Sequence, residues 1–196
     1  MIKSQPDLLA VDWSKIPAPE DDGAASHLAG MMVPYVSLPA TNDDAISLAK
    51  LPGRTVVYIY PRTGQPGQIG LVDDWDMIPG ARGCTPQSCS FRDHHGELTA
   101  AGADHVYGLS TQDTDYQKEM AERLHLPFPI LSDAEMTLTR ALRLPTMDVA
   151  GHTLLKRMAL VITNGRIDTV FYPVFPPDRN AADVLQWLQE HPRSTQ

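Results

Sequence analysis

The chain contains two cysteines, Cys84 and Cys89, and they lie five positions apart in one short segment. Residues 83–93, Gly-Cys-Thr-Pro-Gln-Ser-Cys-Ser-Phe-Arg-Asp, are typical of a helix start, because a proline is tolerated in the first turn of a helix. The unpaired backbone N–H groups and the dipole at that end favour an anion, so a cysteine there is predicted to react as a thiolate. The segment therefore indicates thiol chemistry centred on Cys84.

The spacing of the two thiols disfavours a permanent disulfide. In an intact helix, with a rise of about 1.5 Å and about 100° per residue, the two Cα atoms would lie about 9 Å apart on different faces. A disulfide needs its Cα atoms within roughly 7 Å of each other. A bond between Cys84 and Cys89 can therefore form only when the first helical turns unwind, which predicts a switch between helix and loop at residues 84–90.

Other interpretations of these thiols stay open on spacing alone. Both cysteines could be inert, and His94 and His95 follow closely enough to suggest a metal site. However, Cys84, Cys89 and His94 recur every five residues, which scatters them around a helix instead of converging them on one zinc ion. The Cys-x-x-Cys spacing of a general disulfide oxidoreductase is absent. We predict no metal and no cofactor.

Composition restricts the classes of protein and of partner. With 196 residues, 42% hydrophobic and 20% charged, the chain is long enough for one globular domain. Its net charge of -8 argues against a nucleic-acid or anionic-membrane partner. No apolar run approaches the roughly 18 residues of a membrane span, and no signal core begins the chain. A cytoplasmic location is expected, where a close cysteine pair is more often catalytic or metal-binding than structural.

The elements that must position the thiols alternate between strands and helices. Residues 1–30 are predicted to form an N-terminal extension and 31–196 a single domain. Residues 63–83, rich in Gly, Pro and Asp, are predicted to form a long loop, and such loops are often functional. Alternation of this kind predicts a mixed α/β sheet covered on both faces, with a final hairpin turning at Asn164-Gly165. The predicted strands are 35–38, 45–51, 55–60, 105–110, 129–133, 155–163 and 166–174, and the predicted helices are 85–101, 114–125, 134–144 and 181–191.

Five segments, in order along roughly residues 30–190, resemble the peroxiredoxin family. The first is Gly83 to Asp93 followed by Glu97-Leu98, which is similar to the active-site helix of the bacterioferritin-comigratory, or peroxiredoxin Q, branch. Any one match is weak, but five in the correct order are specific. The other four segments are Tyr107-Gly-Leu-Ser-Thr-Gln-Asp113, Leu126-Pro-Phe-Pro-Ile-Leu-Ser-Asp133, Lys156-Arg-Met-Ala-Leu-Val-Ile162 and Asn164-Gly-Arg-Ile-Asp-Thr-Val-Phe171.

The resemblance implies a thioredoxin-like fold and a thiol-dependent peroxidase of the atypical two-cysteine kind. Cys84 would be the peroxidatic thiol, oxidised by a hydroperoxide to a sulfenic acid, and Cys89 the resolving thiol that condenses with it to an intramolecular disulfide. Arg157 would stabilise the thiolate and the developing negative charge on the peroxide oxygen. Thioredoxin or a similar dithiol would reduce the disulfide by exchange. The resemblance leaves both a monomer and a homodimer open.

One departure from the family pattern concerns the residues before the peroxidatic cysteine. The family carries Pro-x-x-x-Thr-x-x there, but Met77 and Ala81 occupy those positions in this chain. Pro61 and Thr63 occur earlier, so we infer an insertion over residues 65–82 and expect both to regain their substrate-binding places in space. If they do not, either Thr85 or Ser88 would supply the hydroxyl that holds the peroxide, or no residue would and turnover would be slow. The departure leaves open an alternative function, a catalytically weakened thioredoxin-like domain used for redox sensing or binding.

Two further expectations concern side chains near the cysteine segment. Trp75, Met77 and Ile78 of the insertion are placed to shape a pocket for a bulkier hydroperoxide or to pin the loop to the core. Tyr58 and Tyr60 alternate on the predicted strand 55–60 and are expected to serve as packing residues.

Overall fold

The computed structural model describes residues 11–68 and 70–193. The first ten residues of the predicted N-terminal extension therefore lie outside the described residues. The elements, in chain order, are β1 (Leu38–Pro39), β2 (Ala45–Ile46), β3 (Arg54–Ile59), α1 (Cys84–Asp93), α2 (His95–Ala100), β4 (His105–Ser110), α3 (Thr114–Arg123), β5 (Ile130–Ser132), α4 (Thr137–Leu142), β6 (Thr146–Val149), β7 (His152–Leu155), β8 (Met158–Thr163), β9 (Arg166–Phe171) and α5 (Asn180–Glu190). These two ranges also contain four short 3-10 helices, which are Trp13–Lys15, Leu48–Lys50, Trp75–Met77 and Pro177–Arg179.

The central sheet has five strands in the order β5-β4-β3-β8-β9. Strand β3 pairs in parallel with β4 and antiparallel with β8, so the sheet is mixed, as the alternation of elements predicts. All six residues of β3 are buried, Arg54 and Thr55 included, and burial on both faces explains the uninterrupted apolar run from Val56 to Ile59. The hairpin of β8 and β9 turns at Asn164-Gly165, which confirms the predicted turn.

Apolar clusters cover both faces of the sheet. Successive residues of a strand point to opposite faces, and accordingly Val57 and Ile59 join one cluster while Val56, Tyr58 and Tyr60 join the other. The first cluster is closed by α4 and by buried side chains from the segment before β3, including Ala25 and Leu28. The second is closed by helices α1, α2, α3 and α5, so α1 and its two cysteines lie against the Tyr58 face.

Residues 25–33 are built into the core. Gly30 donates its N–H to the carbonyl of Ile167 at 2.8 Å, and Val33 donates to the carbonyl of Gly165 at 2.8 Å. The chain therefore follows the outer edge of β9 before it enters β1. This pairing places the preceding residues, 11–24, near the end of β9 and the loops that follow it.

The predicted helix over 85–101 is wrong in one respect, because it is broken. His94 leaves helical geometry, with φ of -93° and ψ of 4°, and its ring nitrogen Nδ1 lies 2.9 Å from the carbonyl oxygen of Ser90. The side chain thus competes with the backbone for the last carbonyls of α1. Helix α2 starts afresh at His95, so α1 is a separate ten-residue unit that begins at Cys84.

The predicted strand over 155–163 is likewise two strands. Lys156 donates its N–H to the carbonyl of Pro145 at 2.9 Å, so residue 156 still pairs beside the separate β6–β7 hairpin, and the central sheet is joined only at β8. The hairpin of β6 and β7 was not predicted. The predicted strands over 35–38 and 45–51 are longer than the strands observed there, β1 and β2, which have two residues each. The interruption before β8 leaves Arg157 free of strand pairing and buried.

None of the helices in the described ranges is both long enough and apolar enough to cross a membrane.

Candidate active site

Cys84 is the first residue of α1, as the sequence predicts. Gly83 precedes it with φ of 108°, a left-handed backbone conformation that favours glycine, and its carbonyl accepts the N–H of Gln87 at 3.0 Å. The Cys84 side chain is only 3% exposed. The sulfur is therefore held at the positive end of the helix and away from bulk water.

Arg157 lies directly against the sulfur of Cys84. Its Nη2 atom is 3.2 Å from Sγ, although the two residues are 73 positions apart in the chain. The guanidinium is also buried, with Arg157 3% exposed. A fixed cation beside a sulfur atom stabilises the thiolate, so the site combines the helix N-terminus and a buried arginine on one thiol.

The guanidinium is held in place by several oxygen atoms. Nη2 lies 3.2, 3.0 and 3.1 Å from the carbonyl oxygens of Gly80, Ala81 and Arg82, and Nη1 donates to Oε1 of Gln87 at 2.5 Å. Gln87 in turn donates to Oδ1 of Asn180 at 2.9 Å. Arg157 therefore connects the end of the 65–82 segment with α1 directly and with α5 through Gln87.

Gln87 and Asn180 are site residues that sequence reasoning missed. Gln87 lies within the cysteine segment, three positions after Cys84, and so on the same helical face, which is a signal that could have identified it. Asn180 has no comparable signal. It opens α5 far along the chain, and only the packing of α5 on α1 brings it to the site.

Cys89 lies on the same helix as Cys84, and both thiols are free. Helix α1 is intact across them, which is the state for which the sequence predicts widely separated Cα atoms. Cys89 is 8% exposed, and burial raises the pKa of its thiol above the ordinary value. The cations of Arg92 and Arg123 oppose this rise, whereas the carboxylate of Asp93 adds to it.

The raised pKa of the Cys89 thiol predicts that it is alkylated slowly at neutral pH. In a Cys84→Ser variant, iodoacetamide should modify Cys89 at pH 7 more slowly than it modifies free cysteine, and the rate should rise with pH to a midpoint above about 8.5, the ordinary thiol value. Since the folded state holds the proton more tightly, stability should fall as pH rises above that value. Urea should restore the ordinary midpoint, and a folded-state midpoint at or below it would contradict the burial argument.

Thr63 is buried, but its hydrogen bonds go to Gln112. The Thr63 N–H and hydroxyl donate to Oε1 of Gln112 at 2.9 and 3.1 Å, and its carbonyl accepts Nε2 of Gln112 and the Tyr116 hydroxyl. Pro61 is buried just after β3. The structure therefore brings Arg157 into contact with the Cys84 sulfur, while the hydroxyl hydrogen of Thr63 is directed to a neighbouring amide.

Ser88, one of the alternative hydroxyls, is committed to the core. It accepts a hydrogen bond from the Tyr58 hydroxyl at 3.1 Å and lies 3.9 Å from Sδ of Met120. Tyr58 also stacks on Phe91, with ring centroids 4.5 Å apart. Tyr58 and Tyr60 are fully buried, as expected of packing residues, and this burial raises the pKa of both phenols. They form a neutral wall behind the two thiols.

The neighbouring histidines, His94 and His95, are half-buried. The His94 ring contacts the Ser90 carbonyl, and the His95 ring lies 5.6 Å from that of Phe128. Each ring is therefore used in packing or in ending α1.

A small pocket of about 110 Å³ opens beside Arg157. Its walls come from the N-terminal segment, the end of the 65–82 segment, β6 and the chain after β9. They include Pro19, Pro79, Gly80, Met147, Tyr172 and Pro173. The predicted wall residues Trp75, Met77 and Ile78 are not among its lining residues, and Met77 is largely exposed.

Comparison with known proteins places this chain in a family. The family model described as Redoxin matches residues 28–185. Peroxiredoxin Bcp of Escherichia coli is 32% identical over 168 residues, which cover 83% of this chain and 96% of that protein. The chloroplastic peroxiredoxin Q of Oryza sativa subsp. japonica is 32% identical over 162 residues, and the match spans 82% of this chain but only 66% of the rice protein.

Solved structures agree with the sequence matches. The crystal structure of peroxidoxin BcpB from Mycobacterium tuberculosis superposes with a TM-score of 0.67 at 26% identity, covering 85% of this chain and 98% of that one. Reduced Prx3 from Vibrio vulnificus, at 22% identity, shares the fold with a TM-score of 0.64 over 82% of this chain and 97% of its own. These findings confirm the resemblance and the thioredoxin-like fold. The chain belongs to the Redoxin family and, within it, to the peroxiredoxin Q/Bcp branch.

Proposed function

We propose that this protein is a thiol-dependent peroxidase that reduces hydroperoxides through Cys84 and an intramolecular disulfide with Cys89. The observation that carries the proposal is the 3.2 Å contact between Nη2 of Arg157 and Sγ of Cys84 at the N-terminus of α1. Family membership supports the same activity. The burial of both groups supports it as well, since a charge pair acts more strongly away from water.

In the first step, the Cys84 thiolate attacks one oxygen of the hydroperoxide. A sulfur–oxygen bond forms as the oxygen–oxygen bond breaks, and the departing alkoxide or hydroxide takes a proton from solvent to leave as an alcohol or water. Cys84 is thereby oxidised to a sulfenic acid. Arg157 stabilises the negative charge that develops on the leaving oxygen, and the oxygens around its guanidinium keep it in place for that purpose.

In the second step, the thiol of Cys89 attacks the sulfur of the sulfenic acid. A disulfide forms, and the oxygen leaves as water. Because α1 is wound between the two residues, its first turns must open for this step. Thioredoxin or a similar dithiol then attacks the disulfide, becomes oxidised itself and returns both cysteines to thiols.

The substrate we propose is hydrogen peroxide or a short organic hydroperoxide. The pocket beside Arg157, with a volume of about 110 Å³, supports small molecules over bulky ones. A cysteine pair that cycles between thiols and a disulfide suits a reducing compartment such as the cytoplasm. The proposal needs both cysteines of one chain and no second subunit, so it is compatible with a monomer and with a homodimer.

The proposal is tested by adding stoichiometric hydrogen peroxide to the reduced protein and following its mass and free thiols. The wild-type protein should lose both thiols and about two mass units, the loss of two hydrogens. The Cys89→Ser variant should instead stop at a sulfenic acid, one oxygen heavier, which a dimedone probe can trap.

The oxidation rate of Cys84, compared with that of free cysteine, decides the outcome. Oxidation no faster than free cysteine, or survival of both thiols, would contradict the proposal. The chain would then be a redox-sensing or binding domain on the same fold.

A further inference from the structure

A tryptophan far from the cysteines in sequence packs against the turn that precedes Cys84. Trp13, in the first 3-10 helix, lies so close to Gly83 that a Cβ at position 83 would be 2.7 Å from Cη2 of its ring. The same Cβ would lie 2.6 Å from Cγ of Pro177. Gly83 is thus enclosed between Trp13 and Pro177, with no room for a side chain at position 83.

Trp13 is itself anchored to the segment before α5. Its Nε1 atom donates to Oδ2 of Asp178 at 2.9 Å, and its ring meets that of Phe175 edge-on, with centroids 6.0 Å apart. The carbonyl of Asp178 accepts the hydroxyl of Ser90 at 2.6 Å. A single residue, Asp178, therefore holds Trp13 on one side and the middle of α1 on the other.

The rest of the N-terminal segment is fixed on the opposite side of Arg157. A Cβ on Gly80 would lie 3.6 Å from Pro19, so these two residues are in contact distance. The carboxylate of Asp22 accepts Nζ of Lys156 at 2.6 Å and the hydroxyl of Tyr172 at 2.7 Å. Residues 13–22 consequently cross the cysteine turn and are attached on both sides of it.

Opening of α1 must disrupt this arrangement. Disulfide formation requires residues 84–90 to unwind, which moves Gly83 away from Trp13 and Ser90 away from the carbonyl of Asp178. Contacts that exist in the wound state and are lost on unwinding raise the barrier between the two states. The contacts of Trp13 to Gly83 and, through Asp178, to Ser90 are of this kind.

We propose that Trp13 is a positioning residue that holds the first turn of α1 wound and so slows the approach of oxidised Cys84 to Cys89. This inference rests on the proposed roles of the two cysteines. It assigns to Trp13 control over the second step of the reaction and none over the first. A slower second step prolongs the sulfenic acid, which a second hydroperoxide can oxidise to a sulfinic acid while being reduced to an alcohol or water.

The test separates the two steps in Trp13→Ala. Disulfide formation is followed by quenched mass spectrometry after stoichiometric hydrogen peroxide, and sulfenic acid formation is followed in a Cys89→Ser background. Loss of roughly 1 kcal/mol of contacts should speed disulfide formation about fivefold and leave sulfenic acid formation unchanged. With excess peroxide, the sulfinic fraction of the Trp13→Ala protein should fall.

Two further variants serve as controls. Trp13→Phe keeps a ring against Gly83 and loses the bond to Asp178, so its disulfide rate should fall between wild type and Trp13→Ala. Lys15→Ala alters the same 3-10 helix at an exposed side chain paired with Asp12, and it should leave both rates unchanged.

Either of two results would overturn the inference. The first is an unchanged rate of disulfide formation in Trp13→Ala. The second is a parallel fall in the rates of disulfide and sulfenic acid formation, which would indicate general damage to the site. If Trp13→Ala does not fold, the Trp13→Phe rates decide the question in the same way. Failure of the proposed function is distinguishable, because the wild-type protein would then keep both thiols or oxidise Cys84 no faster than free cysteine is oxidised.

Discussion

Replacement of Cys84 by serine is expected to abolish peroxide turnover supported by thioredoxin, a loss of about 10⁴-fold or more. Serine preserves the size of the side chain at the start of α1, but a hydroxyl is a far weaker nucleophile than a thiolate and forms no sulfenic acid. The contact of Arg157 with the sulfur also loses its anionic partner. The measurement is the rate of peroxide consumption with thioredoxin, thioredoxin reductase and NADPH.

The matched control for this prediction is Cys89→Ser. Both changes replace a buried thiol of α1 with a hydroxyl, so comparable melting temperatures would exclude unfolding as the cause. Cys89→Ser should keep a fast first oxidation and lose only the disulfide. Continued peroxide consumption by Cys84→Ser, with oxidation of Cys89 at an undiminished rate, would reverse the assignment of the two thiols.

Arg157→Gln is expected to slow the oxidation of Cys84 by about 10²- to 10³-fold, the usual effect of removing one group that stabilises charge in a transition state. Glutamine retains hydrogen-bonding capacity and loses the positive charge. Arg157→Lys should give an intermediate rate, because an ammonium keeps the charge but cannot bridge the sulfur, the carbonyls of residues 80–82 and Gln87 with one planar group. Stopped-flow measurement of the reduced variants with hydrogen peroxide checks both expectations.

Arg157→Gln should also destabilise the protein, by roughly 2–4 kcal/mol, since the oxygens around the guanidinium stay buried without their donor. Arg54→Gln separates this effect from catalysis. Arg54 is a second buried arginine, 7% exposed, whose Nη1 donates to the carbonyl of His191 at 2.8 Å, at the far end of β3. It should lose stability while oxidising Cys84 at the wild-type rate. An Arg157→Gln protein that is merely less stable, with an unchanged oxidation rate, would exclude Arg157 from the reaction.

Local signals in the sequence determined where the thiols lie and the order of the main elements around them. Strand β4 occupies 105–110 as predicted, and the turn at Asn164-Gly165 is where a glycine permits a positive φ. The start of α1 at Cys84 follows from Gly83 before it and Pro86 within its first turn. These features depend on neighbours in the chain, so periodicity and glycine or proline positions are sufficient to predict them.

Features that depend on distant partners could not be predicted in this way. The break between β7 and β8 arises because Lys156 bonds to Pro145, and the break after α1 because the His94 ring turns back to Ser90. Thr63 was expected from family resemblance to face the substrate, yet its hydroxyl donates to Gln112, 49 positions away. No local sequence pattern predicts to which distant acceptor a buried hydroxyl donates its hydrogen bond.

The residues of the candidate site can likewise be divided into those that the sequence predicts and those that only tertiary contacts bring together. The sequence by itself predicted the reactive thiol and, through resemblance, its partner on the same helix and an arginine before β8. Only the tertiary structure decided that Arg157 meets Cys84, that Gln87 and Asn180 hold it, and that Trp13 packs on Gly83. The physical reason is that these contacts join residues 70 or more positions apart in the chain, which only tertiary packing brings together.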